Sequence, residues 1–271
     1  MLLRCAARSA RARPLGASYG VAAVNLGCAK RFRASAADAA RNAADVRDLL
    51  RTRLSLTDAE VDRMVRHRPL GALATVAPKL DWPQRRLGLD EAQLKKVVLL
   101  NPSLLSKSIE DNLAPTLDWL QARLDLDDEQ LRKMIVALPA LLGYSVEDNV
   151  EPKLQWLQRR LDLDEAQLRK IVRLDPSLLN KSVEENLEPK LYFFERELLR
   201  GSRAELRDWV VKKSPCLSYS LTNRYRPRLE ACRAAGVDAK RVLSYATNSD
   251  EIFCKHTGID PEALRAAQEN V

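Results

Sequence analysis

Apolar residues recur along the chain at helical spacing, and the spacing itself repeats. Leu94, Val97 and Val98 return as Leu131, Met134 and Ile135, then as Leu168, Ile171 and Val172, then as Leu206, Trp209 and Val210. Positions three and four apart form one apolar stripe on an α-helix, and no unit shows the period-two alternation of a strand. Each stripe follows a capping-box pattern: Thr57, Asp90, Asp127, Asp164 and Ser202, with Glu60, Gln93, Gln130, Gln167 and Glu205 three positions on. Leu56, Leu89, Leu126 and Leu163 before the cap, with Val61, Leu94, Leu131 and Leu168 after it, add a hydrophobic staple. The fifth unit has Gly201 in the staple position, which predicts a helix held less firmly at its start.

Two proline series keep step with this pattern. Pro69, Pro102, Pro139, Pro176 and Pro215 each end the first helix, because the residue before proline is pushed out of the α region and proline cannot donate a hydrogen bond. Ser108, Ser145, Ser182 and Ser220 are then N-cap candidates for a second helix. Pro78, Pro115, Pro152, Pro189 and Pro227 fall within that stretch while its apolar phase runs on, which predicts a kink or restart with proline near N1. Trp82, Trp119, Trp156 and Phe193 share one column on the second helix and read as core between repeats rather than as a base-stacking platform.

A helical hairpin of this size cannot bury its apolar face alone, whereas stacked hairpins can. The expectation is an all-α fold, an α-solenoid of about five to six units with a curved surface. The units are approximately 54–86, 87–123, 124–160, 161–197 and 198–235, with a C-terminal cap at 236–271.

Charge changes the picture at the ends. The 271 residues carry a formal net charge of +8, but residues 1–44 hold eight basic side chains against one acid, Asp38, so the remainder is close to neutral at +1. An Arg-rich, acid-poor N-terminus in an Ala/Ser/Gly background reads as an organelle transit peptide, expected to be disordered. A basic nucleic-acid-binding tail and a poor secretory signal are the alternatives. Within the rest, residues 86–189 are net −5 and residues 190–245 net +7, which puts a polyanion toward the C-terminal end. No apolar stretch is long enough to span a bilayer. Cys216, Cys232 and Cys254 lack disulfide or zinc spacing.

The closing segment resembles a known family when taken with the repeats. The units "LDEAQLRKIVRLDPSLLNKSVEENLEPKLYFF" and "DDEQLRKMIVALPALLGYSVEDNVEPKLQWLQ" are similar to the repeats of the mTERF (mitochondrial transcription termination factor) family, and "PCLSYSLTNRYRPRLEACRAAG" with "VLSYATNSDEIFCKHTG" resembles its C-terminal end. The resemblance covers about residues 50–235. It implies a superhelical half-ring in a mitochondrion or plastid that binds double-stranded DNA or RNA through a basic inner surface. It also implies a role in transcription termination or initiation, splicing or ribosome assembly, with transcription or ribosome-assembly proteins as further partners. The early arginines favour the mitochondrion.

Three groups of residues are candidates for nucleic-acid contact. Arg63, Lys96, Lys133 and Lys170 lie two positions beyond the staple residue on the first helices. Lys79, Lys153, Lys190 and Arg228 directly follow the second proline, with Thr116 breaking the series. One basic side chain per repeat suits a phosphate backbone followed along a solenoid; the alternative is a solvated face with ion pairs such as Glu129 with Lys133. The third group is Arg224, Tyr225, Arg226 and Arg228 in "TNRYRPR", with Lys212 and Lys213 nearby. Arginine suits bidentate phosphate or guanine contacts, and tyrosine can stack. Enzymatic chemistry finds little support: His67 and His256 are the only histidines, acids such as Asp127 and Asp128 are accounted for by helix caps, and no cofactor or metal motif occurs. A nuclease using acids to hold magnesium is the residual enzymatic alternative. The competing non-enzymatic reading is a protein-binding scaffold, suggested by the acidic central repeats. Stacked repeats need no partner to bury their core, so a monomer is expected.

Overall fold

Residues 36–66 and 73–270 are described by a computed structural model; expectations for residues 1–35, His67 and Pro69 lie outside these residues. The helices are α1 (Ala36–Leu54), α2 (Asp58–Arg66), α3 (Leu73–Leu87), α4 (Glu91–Leu100), α5 (Ala114–Leu124), α6 (Asp128–Ala137) and α7 (Glu151–Leu161). They continue as α8 (Glu165–Leu174), α9 (Glu188–Phe193), α10 (Arg203–Lys213), α11 (Arg226–Ala234), α12 (Lys240–Ser244), α13 (Asp250–Thr257) and α14 (Pro261–Glu269). No strand occurs among the described residues.

The third unit shows how sequence becomes structure. Asp127 accepts from the Gln130 amide at 2.7 Å, and the Asp127 amide donates to the Gln130 side chain at 3.2 Å, closing the capping box that starts α6. Asp90 with Gln93, Asp164 with Gln167 and Thr57 with Glu60 do the same. Ser202 makes only one arm: it accepts from the Glu205 amide at 3.3 Å, while the Glu205 carboxylate takes Lys240 Nζ at 2.7 Å. Leu138, before Pro139, leaves the α region at φ −135°, ψ 76°, and a 3₁₀ turn follows over Pro139–Gly143. Asn101 and Asp175 do likewise before Pro102 and Pro176.

Ser145 then caps the second helix by accepting from the Asp148 amide at 3.0 Å. Its first turn, Val146–Val150, is π-helical and runs without a break into α7, with Pro152 in the first positions. Ile109–Leu113, Val183–Leu187 and Leu221–Tyr225 repeat the device. The predicted kink is thus a widened turn. A proline ring collides with the carbonyl four residues back, and i to i+5 bonding carries the chain past that position.

Second helices pack against the first helices of the next two units, as α3 does with α4 and α6, and α5 with α6 and α8. A continuous leucine-rich core results, including Leu94, Leu117, Leu131, Leu154, Leu168 and Leu191. The tryptophan column is half-buried against that core, and Phe193 is buried. An arginine near the end of α3, α5 and α7 ties the stack together. Arg86 pairs with Asp118 and Asp128, Arg123 with Glu151 and Glu165, and Arg160 with Glu188 and Glu195.

Arg53 extends this series, pairing with Asp81 and Glu91. Ser55 takes the same left-handed conformation after α1 (φ 50°) that Gly88, Asp125 and Asp162 take after later second helices. Helix α1 therefore has the place of a second helix of an additional unit, with Val46, Leu50 and Leu54 in the core. It begins at Ala36, so residues 36–44, expected to be disordered, are helical.

Candidate nucleic-acid interface

The first basic column points outward. Arg63, Lys96, Lys133 and Lys170 are all exposed on α2, α4, α6 and α8, because a residue two beyond the staple lies across the helix from the buried stripe. Lys133 contacts Glu129 at 3.2 Å yet keeps 73% of its side chain exposed. Between α6 and α8 lies a groove of about 570 Å³, lined by Lys133, Lys170, Arg173 and Gln130 over Met134 and the exposed Leu174. In the fifth unit Asp208 takes the column position, and Lys212 lines a separate groove between α10 and α12 with Lys213, Lys240 and Glu205. Lys213 is half-buried and donates to the Ser244 carbonyl at 3.2 Å.

The second basic column points into the stack. Lys79 Nζ donates to the Leu105 carbonyl at 3.0 Å, Lys153 Nζ to Leu179 at 2.7 Å and Lys190 Nζ to Leu217 at 2.6 Å. Each acceptor lies in the next unit's 3₁₀ turn, whose carbonyls have few intrahelical partners. Burial lowers the Lys153 pKa despite the nearby Glu184. It brings Lys190 down to about 8, with the charge of Lys181 reinforcing the shift and Asp175 opposing it. Lys79, Lys153 and Lys190 thus have their ammonium groups committed to the fold, and the two columns share no face. Thr116, in the same position, is buried as well.

Arg228 closes that series. It is fully buried and donates to the Tyr245 carbonyl (2.8 Å), the Asn248 carbonyl (2.7 Å) and Asp250 (2.6 and 3.0 Å), with its guanidinium 4.6 Å from the Phe253 ring centre. Desolvation lowers its pKa, outweighing Asp250. The "TNRYRPR" cluster is accordingly dispersed. Tyr225 is buried and donates its hydroxyl to the Cys216 carbonyl at 2.6 Å, and burial raises its pKa. Arg224 is half-buried, bonded to the Asn248 carbonyl and 4.2 Å from the Tyr219 ring centre. Arg226 remains exposed, over Phe193 at 5.8 Å. Helical spacing accounts for the split, since positions 224 and 228 lie on one side and 226 on another.

Arg173 and Lys240, which the sequence pattern did not single out, line the two grooves. Arg173 was detectable three positions beyond Lys170, on the same helix face. Among the described residues no group of three His, Cys, Asp or Glu side chains could hold a metal ion, and no helix is long and apolar enough to cross a membrane. Cys216, Cys232 and Cys254 are free and buried, and burial raises each thiol pKa. His256 stacks on Tyr245.

An uninterrupted stack of helical hairpins with an outward basic column defines a helical-repeat protein of the α-solenoid class. The family model for mTERF matches residues 83–253, and the chain belongs to the mTERF family. Members of that family are organellar, with nucleic-acid-related functions. No curated protein matches the chain.

Proposed function

We propose that this protein binds organellar nucleic acid, double-stranded DNA or RNA, along the outer face of its first helices, and thereby regulates transcription or RNA processing. The observation that carries the reading is the exposed cation presented once per unit by Arg63, Lys96, Lys133 and Lys170. Arg173 and Lys212 extend it and Arg226 is exposed on the second helix α11, whereas Lys79, Lys153, Lys190, Tyr225 and Arg228 serve packing. The Arg-rich N-terminus supports a mitochondrial address, with the chloroplast as alternative. Removal of residues 1–35 would leave α1 whole. The protein acts as a monomer in this reading and performs no catalysis.

The test is binding to duplex DNA and to RNA across a salt series, for the wild-type chain and for Lys96→Ala/Lys133→Ala/Lys170→Ala. Each phosphate contact contributes about 0.9 to the slope of log affinity against log salt on duplex DNA. The triple variant should therefore flatten that slope by about 2 to 3. Salt-insensitive binding, or a triple variant indistinguishable from wild type, would overturn the reading.

A further inference from the structure

The unit-4/unit-5 boundary holds two arginine–aromatic pairs that earlier boundaries leave incomplete. Arg226 lies over Phe193, and Arg224 over Tyr219. Thirty-eight or thirty-seven residues per unit relate these positions to earlier ones: Phe193 corresponds to Trp119, Tyr219 to Tyr144, Arg224 to Asn149 and Arg226 to Glu151. Between units 2 and 3 both rings are thus present without either arginine. Trp119 and Tyr144 line a groove there of about 470 Å³, and both are half-buried.

The same groove carries the countercharge. Asp111 and Glu147 line it and are exposed, each near its capping serine, with no ion pair made by either among the described residues. The one cation of the lining is Lys107, half-buried, with Nζ donating to the Gly143 carbonyl at 3.1 Å. Two carboxylates and two aromatic rings lining one groove suit a guanidinium, which stacks flat and forks two donors toward a carboxylate, better than an ammonium.

We propose that this groove is a docking site for an arginine-bearing segment of a partner protein, whose guanidinium stacks on Trp119 and pairs with Asp111 and Glu147. The site lies on the second-helix side of the stack, away from the lysine column of the first helices. The protein would then hold nucleic acid on one face and a basic protein on the other.

Fluorescence anisotropy on the full chain tests this, with a labelled peptide of alternating arginine and glycine beside its lysine counterpart. The arginine peptide should bind at least fivefold more tightly. Asp111→Asn/Glu147→Gln, at exposed positions that leave the core intact, should weaken it about tenfold, and Trp119→Leu should erase the preference for arginine over lysine. Equal affinity for the two peptides, or an arginine preference that survives Trp119→Leu, would overturn the proposal. So would tighter binding of a peptide of this chain's own residues 1–13, which would make the occupant intramolecular.

Discussion

Lys170 and Lys190 look alike in the sequence, each a basic residue recurring once per repeat, yet one faces solvent and the other is 2% exposed. Burial gives Lys190 a measurable signature. Its folded pKa of about 8 lies below the ordinary 10.5, so above pH 8 the folded chain sheds a proton that the unfolded chain keeps. The cost of burying the charge is present in full below pH 8 and is relieved as pH rises from 8 toward 10.5. Urea unfolding should show wild type gaining about 2 kcal/mol over Lys190→Met across that window. A constant difference between the two would refute the assignment. The period revealed that both columns exist, but not which way they point. For Lys170, counting from the staple residue suffices, because α8 is regular from its cap. For Lys190, the count must cross the π turn at Val183–Leu187, where each residue advances the helix by less than 100°.

Helix starts were legible because they depend on local chemistry: a cap, its partner three residues on, and a staple. They should also differ in strength as the bonds do. Asp127→Ala removes the 2.7 Å bond to a carboxylate, leaving only the backbone arm to Gln130, and should cost about 1 kcal/mol. Ser202→Ala removes a single 3.3 Å bond and should cost about half a kcal/mol. Thermal unfolding of the two variants would order them, and the reverse order would contradict the geometry. Helix α1 escaped the sequence pattern for a physical reason: the described residues give it neither the capping box nor the 3₁₀ turn that mark the other units. Its Arg53, 33 residues before Arg86, and its core positions Val46, Leu50 and Leu54 were the available signal.

Across the whole molecule the units are coupled by ion pairs as well as by leucines. Arg123 bridges Glu151 of the next unit at 3.0 Å and Glu165 of the one after at 2.7 Å, with 19% of its side chain exposed. Its position lies between a surface pair and a fully buried one, so Arg123→Met should cost about 2 kcal/mol. It should also broaden the urea transition, because a stack of repeats unfolds as one only while its interfaces outweigh the differences between units. A sharp transition with an unchanged slope would show the ladder to be dispensable. The solenoid architecture was readable because period, caps and prolines all agree. The division of the basic residues was not, since it depends on acceptors in another unit.

Those acceptors all lie downstream. Lys79 waits 26 residues for Leu105, Lys190 waits 27 for Leu217, and Arg228 waits 22 for Asp250. A chain that emerges N-terminus first, from a ribosome or through a membrane pore, therefore exposes each donor before its receiver exists. Assembly must trail synthesis or translocation by about one unit, and Arg228 is sealed only once Tyr245, Asn248 and Asp250 have emerged.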